Sequence, residues 1–235
     1  MVLSSWRRVI CGLAAAVVLS GCAGAPHVAR YPVPLPPVDA PGCCGAITPA
    51  GAQLAAFLDG MNVDNLWQEH VRINWETGMP KPGAPATHGT HCSAFAAAAS
   101  KRLDIYLLRP PEHGQDFLAS AQERWLQSPR ALEDGWKPVA SSREAQMLAN
   151  QGEFVVLVFR NPDSHRPGHI AVVHPYVKSD AALASEGPTT TQAGAHNFTL
   201  GTAVFSFVMH PGAWPDKVKM FAHATKFQSE APAGQ

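Results

Sequence analysis

One cysteine opens a run of small apolar residues and is the first candidate for chemistry. The stretch reads Thr90-His91-Cys92-Ser93-Ala94-Phe95-Ala96-Ala97-Ala98-Ala99, and alanine has the highest helix propensity of all residues. Because Pro80, Pro82 and Pro85 precede it, the chain should arrive as a loop and turn into a helix at Cys92. In the first turn of a helix, free N–H groups and the helix dipole favour a thiolate, the nucleophilic form of cysteine. The pattern is therefore typical of a nucleophile or of a buried structural cysteine.

A cysteine nucleophile needs a base, and His169 is the natural candidate. It lies in Pro167-Gly168-His169-Ile170-Ala171-Val172-Val173, where β-branched residues predict a strand that begins at the histidine. A histidine on the first residue of a strand can face a cleft while the rest of the strand packs. His169 would accept the thiol proton or form an ion pair with the thiolate, and would then protonate the leaving amine.

These two motifs, in this order, resemble the papain-like hydrolases of the NlpC/P60 and CHAP type, which act on peptidoglycan. The resemblance covers about residues 90–197. It implies an α+β fold in which N-terminal helices pack on a small antiparallel β-sheet, with Cys92 as nucleophile and His169 as general base. It further implies amide hydrolysis through a thioester, with peptidoglycan as the partner and with no cofactor.

Such families orient the catalytic imidazole with a third polar residue from the next strand, and here three residues qualify. Gln192 lies on the predicted strand, Asn197 offers an amide, and His196 would match the NlpC/P60 pattern. We expect the third residue to be Asn197, Gln192 or His196. The backbone N–H of Cys92 at the helix N-terminus is the expected oxyanion donor.

The elements that must position these residues change from helical to extended along the chain. Apolar residues recur at helical spacing from Thr48 onward, and Phe154 to Phe159 is a continuous apolar run typical of a buried strand. Predicted helices begin at Thr48, cover 63–75, run from Cys92 to about Leu103, and cover 116–127 and 142–150. Predicted strands cover 154–159, 169–173, 189–192 and 202–208, with a loop or ragged strand over 178–187. Helices followed by a small antiparallel sheet predict an α+β domain.

The N-terminus predicts export and lipid attachment. Trp6-Arg7-Arg8 is a short basic start, and Val9 to Leu19 is an apolar run too short to span a membrane stably. Leu19-Ser20-Gly21-Cys22 resembles the lipobox of bacterial lipoproteins, in which the cysteine carries acyl chains such as palmitate. We therefore expect residues 1–21 to be a signal peptide and Cys22 to anchor the protein in the periplasm. Because Ala23 follows, the resemblance favours the outer membrane of a Gram-negative cell.

A proline-rich segment separates the predicted anchor from the predicted domain. Residues 22–46 should form a semi-rigid tether, and residues 47–235 the papain-like hydrolase domain. Cys43 and Cys44 are adjacent in this segment. Because a disulfide between neighbours is strained and rare, we expect them to pair with other chains or to remain unpaired. Cys92 has no evident partner within the domain.

Charge argues against a nucleic-acid partner. The formal charge of the whole chain is zero, and removal of residues 1–21 would leave it at −2 because Arg7 and Arg8 are lost with no acid. Nucleic-acid binders normally carry a basic patch or stripe.

Three alternatives compete with hydrolysis by a Cys–His pair. A zinc site could use His88, His91 and Cys92, although chelation by two adjacent residues is awkward and no His-Glu-x-x-His motif is present. The chain could be a lipid-anchored binding module with the same fold and no chemistry. The same Cys–His pair could also transfer an acyl group to an amine rather than to water.

Overall fold

The computed structural model describes residues 42–87 and 89–229. The predicted signal peptide, Cys22 and His88 lie outside these residues, as does the tether up to residue 41. Within them the helices are α1 Pro49–Gly60, α2 Cys92–Arg102, α3 Leu118–Leu126, α4 Pro129–Glu133, α5 Ser142–Asn150, α6 Asp180–Glu186, α7 Ala203–Ser206 and α8 Lys226–Ser229. The strands are β1 Lys137–Val139, β2 Phe154–Phe159, β3 His169–Val173, β4 Thr189–Gln192, β5 Phe198–Thr202 and β6 Val218–His223.

The strands form one six-stranded antiparallel sheet in the order β1-β6-β2-β3-β4-β5. The predicted α+β class is confirmed, and so is the antiparallel pairing of the two strands predicted at 154–159 and 169–173. In that pair Phe159 lies opposite His169, so His169 is at the very end of the ladder. This end of the sheet is where the candidate catalytic residues lie.

The sheet separates two apolar clusters. Alternate residues of β2 serve one cluster each: Val156 and Val158 pack with α1, α2 and α3, and Val155 and Leu157 pack with α5 and α7. Every residue of β2 is buried, as expected for a strand covered on both faces. The unbroken apolar run in the sequence therefore reflects helices on both sides of the sheet.

Helix α2 lies directly against β3 and is buried over nearly its whole length. Its residues from Cys92 to Ser100 are all buried, and most of them are alanines whose small side chains let the helix approach the sheet closely. Its exposed end carries Lys101 and Arg102, which suit the negative end of the helix dipole. Lys101 pairs there with Glu76 at 2.7 Å.

The predicted helix over 63–75 is wrong. Trp67 and His70 there have left-handed backbone conformations, with φ of 53° and 62°, which an α-helix cannot include. The apolar spacing instead reflects a loop whose Trp67 side chain is fully buried. The Trp67 indole N–H donates to the Trp75 carbonyl at 2.9 Å.

Two further segments differ from the predictions because hydroxyl caps start helices there. The segment 178–187 contains α6, and Ser179 caps it by accepting from the Ala182 N–H. A strand was predicted over 202–208, but the observed strand β5 already ends at Thr202 and helix α7 follows it directly. Thr202 closes β5 and caps α7 by accepting from the Phe205 N–H at 3.2 Å.

Cys43 and Cys44 form a disulfide with each other, so the expectation that they would not is wrong. The pair lies in a turn held from several sides. The Cys43 N–H donates to the Lys178 carbonyl at 2.7 Å, and the Asn150 side-chain amide donates to the Gly45 carbonyl at 3.1 Å. These hydrogen bonds tie the turn to residues that are distant in sequence.

We predict that Gly51→Ala destabilises the protein and that Gly60→Ala does not, although both glycines belong to α1. A Cβ at Gly51 would lie 2.0 Å from the Asn150 backbone oxygen, whereas nothing lies within 4 Å of a Cβ at Gly60. The clash must push α1 away from α5, at a cost of about 2 kcal/mol or more. Urea denaturation of both variants checks this, and equal free energies of unfolding would contradict the close helix contact.

Candidate active site

Cys92 is the first residue of α2, as the sequence predicts. His91 precedes the helix with φ −125° and ψ 26°, and its side chain makes no capping hydrogen bond. The first-turn amides of α2 are therefore not occupied by a side-chain cap at that residue. The Cys92 side chain is a free thiol, and only 4% of the residue's surface is exposed.

Donors surround the Cys92 sulfur, but burial dominates its pKa. Burial raises the pKa of the Cys92 thiol, and hydrogen bonds from the backbone of Ile170, Ser93 and Cys92 and from the Ser93 side chain lower it by less. The donors that the sequence predicts at the helix start are thus present. Their effect on the pKa is nevertheless outweighed, so the resting residue is a neutral thiol and not the expected thiolate.

His169 is oriented by Gln192. The His169 Nε2 atom lies 2.7 Å from the Gln192 Oε1 atom, and the Gln192 Nε2 atom donates to the His196 carbonyl at 3.0 Å. Because the Gln192 NH₂ group must face that carbonyl, its oxygen must face His169 as an acceptor. His169 therefore carries its proton on Nε2, and Nδ1 keeps the lone pair that a general base needs.

Aromatic rings hold the other sides of the His169 imidazole. Phe207 meets it edge-on with ring centres 5.2 Å apart, and His210 stacks on it at 5.6 Å. Burial lowers the pKa of His169 to about 4, against a smaller raising effect of the Gln192 hydrogen bond. His169 is consequently neutral at physiological pH, as a base must be before it accepts a proton.

Cys92 and His169 lie on two elements that pack together, α2 and the start of β3. The Ile170 N–H that points to the Cys92 sulfur belongs to the residue after His169. Cys92 lines a cavity of about 280 Å³, and His169 and Gln192 line another of about 220 Å³. Thr90 and Gly168 line both cavities, so the two spaces adjoin along these residues.

Gly168 allows the close packing that positions His169. A Cβ at Gly168 would lie 2.3 Å from the Phe159 carbonyl oxygen and 2.7 Å from the Ser120 hydroxyl. Only glycine lets the chain pass between β2 and α3 at this point. The Pro-Gly pair that precedes His169 in the sequence therefore has a packing role at the site.

Asn197 holds a loop instead of the imidazole. Its side-chain NH₂ donates to the carbonyls of Val63 at 3.0 Å and Leu66 at 2.8 Å, and its oxygen accepts from the Gly194 N–H at 2.8 Å. All of its hydrogen-bonding groups are thus engaged in tying the loop after α1 to the end of β4. Among the three candidates for the third residue, the structure brings Gln192 to His169.

His196 takes part through its backbone. Its carbonyl fixes the Gln192 amide, while its ring stacks on Phe205 with ring centres 5.5 Å apart and lines the His169 cavity. The sequence analysis missed Phe207 and His210, which contact His169. Phe207 lies within the segment 202–208 that was predicted to be a strand and His210 follows it, and no local signal connects either residue to β3.

The residues proposed for zinc have other surroundings. His91 Nε2 lies 2.7 Å from the Val71 carbonyl oxygen, and His88 is outside the described residues. Within 42–87 and 89–229, no group of three His, Cys, Asp or Glu side chains is arranged to hold a metal ion. In the same ranges, no helix has the length and apolar character needed to cross a membrane.

We predict that His169 makes the protein less stable in acid. Its pKa of about 4 lies below the ordinary value of 6.5, so the unfolded chain binds a proton more readily between these values. The contribution of neutral His169 to the free energy of unfolding is therefore fully present above pH 6.5. It is lost as the pH drops toward 4, which lowers the free energy of unfolding by about 3 kcal/mol. In His169→Gln this part of the loss should disappear.

Urea denaturation at pH 7 and pH 4 measures the effect. His165→Gln is the matched control, since His165 is exposed and should keep the loss seen in the unmodified protein. An equal loss in His169→Gln and in the unmodified protein would show that His169 is not buried as a neutral group.

A comparison of the chain with protein-family models and with curated proteins finds no match. The likeness to the NlpC/P60 and CHAP hydrolases therefore stays a prediction that rests on the Cys92 and His169 motifs.

Proposed function

We propose that Cys92, His169 and Gln192 form a catalytic triad that hydrolyses an amide bond in peptidoglycan. The observation that carries the proposal is the hydrogen bond of 2.7 Å between His169 Nε2 and Gln192 Oε1. It leaves Nδ1 as the basic nitrogen of a histidine whose neighbour, Ile170, contacts the thiol. The Gln192 amide is itself held by the His196 carbonyl at 3.0 Å, which supports a fixed orientation of the imidazole.

The proposed reaction begins with two neutral groups. His169 Nδ1 accepts the Cys92 proton while the sulfur attacks the substrate carbonyl carbon. The tetrahedral intermediate then collapses, the imidazolium protonates the leaving amine, and the acyl group remains on sulfur as a thioester. His169 next accepts a proton from water, the hydroxide attacks the thioester, and release of the carboxylic acid regenerates the thiol.

Burial favours a neutral His169 that accepts the thiol proton over a preformed ion pair with the thiolate. The pKa of the thiol is raised and the pKa of the imidazole is lowered, and both shifts disfavour a resting thiolate–imidazolium pair. Proton transfer should therefore accompany the attack and not precede it. The Gln192 oxygen accepts from Nε2–H throughout and stabilises the imidazolium when it forms.

The start of α2 supplies the donors for the developing oxyanion. The Cys92 N–H is in the first turn of the helix, where amides lack intrahelical partners and the dipole favours negative charge. Preorganised donors of this kind stabilise acyl-transfer intermediates strongly. We assign the Cys92 N–H to this role.

The cellular setting of the proposal comes from the N-terminus. A lipid on Cys22 would place the domain in the periplasm, next to peptidoglycan and on a proline-rich tether. Peptidoglycan contains peptide amides that a Cys–His site can cleave. In this proposal the protein is attached to the membrane through the lipid on Cys22.

We predict that Cys92→Ala and His169→Ala abolish cleavage of purified murein, with losses of roughly 10³-fold or more. Gln192→Ala should lower the rate on the order of 10²-fold, because the imidazole loses its orientation. His196→Ala is the matched control, because the Gln192 amide donates to the backbone carbonyl of His196, which the substitution retains. This variant should keep most of the activity.

Mass spectrometry of the released fragments measures these effects. Fragment patterns that are identical for the unmodified protein and Cys92→Ala would remove the hydrolase proposal. New free amines without a cross-linked product would exclude acyl transfer to a second amine.

The deep burial of Cys92 favours one other candidate, a murein-binding protein without chemistry. Only 4% of Cys92 is exposed, so the residue could serve as core packing. Murein that is retained but not cut by both the unmodified protein and Cys92→Ala would establish this second function.

A further inference from the structure

The cavity beside His169 is lined by a positive charge and by no negative charge. It measures about 220 Å³, and its polar lining includes Asn161, Arg166, His169, Gln192, Ser206 and His210. No aspartate or glutamate is found among the described residues that line it. The wall therefore offers cationic and hydrogen-bonding groups without an internal acid to neutralise them.

Arg166 is the permanent charge in this wall. Its backbone N–H donates to the Asp163 carbonyl at 3.1 Å, which holds it in the β2–β3 loop three residues before His169. The guanidinium makes no ion pair with any carboxylate of the described residues. Its charge reaches into the cavity, because Arg166 helps to lower the pKa of His210 to about 4, after the larger effects of burial and of His169.

The position of His169 indicates that the amine half of the scissile amide, and not the acyl half, enters this cavity. His169 must lie within hydrogen-bonding distance of the leaving nitrogen to protonate it, and His169 opens into this cavity whereas Cys92 opens into the adjoining one. The amine half therefore occupies the space lined by Arg166. In an amino acid the carboxylate is two bonds away from its nitrogen, so it would lie in the same space.

We propose that Arg166 binds a carboxylate on the amine half of the scissile amide, so that the site selects amides whose leaving amine belongs to an acidic or C-terminal amino acid. Arginine suits this role because its planar guanidinium binds a carboxylate through two parallel hydrogen bonds. The inference rests on the proposed hydrolase function and specifies the substrate of that same site.

A third cavity, which adjoins the Cys92 cavity, is lined by charges of both signs. Arg72 and Lys81 line it together with Asp116. Thr90 lines this cavity as well as the cavities of Cys92 and His169. A carboxylate preference is thus assigned to the amine side of the cleft alone.

The test compares native murein with murein whose free carboxylates have been converted to amides by carbodiimide and ammonia. The unmodified protein should cut native murein about 10- to 100-fold faster than amidated murein. Arg166→Gln should lose that advantage, so that it cuts native and amidated murein at similar rates. Mass spectrometry should show that each newly freed amine belongs to a residue with a carboxylate.

Arg124→Gln is the matched control. Arg124 is exposed on α3 and forms no ion pair with the described residues, so its loss removes the same charge away from the cleft. It should cut both mureins like the unmodified protein. Equal cleavage of both mureins by the unmodified protein and by Arg166→Gln would overturn the inference.

Binding separates failure of this inference from failure of the hydrolase proposal. If the unmodified protein cuts neither murein, the hydrolase proposal fails, and calorimetry with soluble muropeptides then decides on Arg166. Binding by Cys92→Ala that is lost on amidation and on adding Arg166→Gln would support a carboxylate site. Binding that is indifferent to both changes would overturn it.

Discussion

The pairing of β3 with β4 is the constraint on which the candidate site depends. The register sets Val172 opposite Thr191 and Val173 opposite Thr190, which leaves His169 and Gln192 beyond the paired residues of the two strands. There the Gln192 side chain is free to reach the imidazole. A register shift between Thr190 and Gln192 where β4 pairs with β5 marks the irregularity that often re-aims a side chain beside a functional site.

Burial opposes charge at both Cys92 and His169, and this conflict shapes the proposed mechanism. The helix start offers donors to the Cys92 sulfur, yet the apolar surroundings raise the pKa of the thiol. The same surroundings lower the pKa of His169. Burying two neutral groups costs little desolvation free energy, whereas a buried ion pair must offset a large desolvation free energy by its mutual attraction. In the proposed mechanism, charge would therefore form at these groups only when substrate is present.

Local signals in the sequence were sufficient for the elements that carry the candidate pair, Cys92 and His169. The small residues after Cys92, the apolar run of β2 and the Gly-His start of β3 each specify their structure within a few residues. Strand β6 was missed although it pairs with β2 along its full length, because its sequence mixes polar and apolar residues and its place depends on distant partners. Gln192 and Asn197 are both amides near the end of one strand, and only the strand register shows which of them meets His169.

The loop between α1 and α2 joins the two halves of the site. Its Trp67 ring packs edge-on against Phe95 of α2, with ring centres 5.3 Å apart, and its carbonyls hold the Asn197 amide. Immediately before Cys92, the His91 ring contacts the Val71 carbonyl of the same loop. One irregular segment therefore fixes both the start of the cysteine helix and the chain just beyond Gln192. Trp67 and Ile73 of this loop are buried in the core, so a shift of the loop would move Cys92 and Gln192 relative to each other.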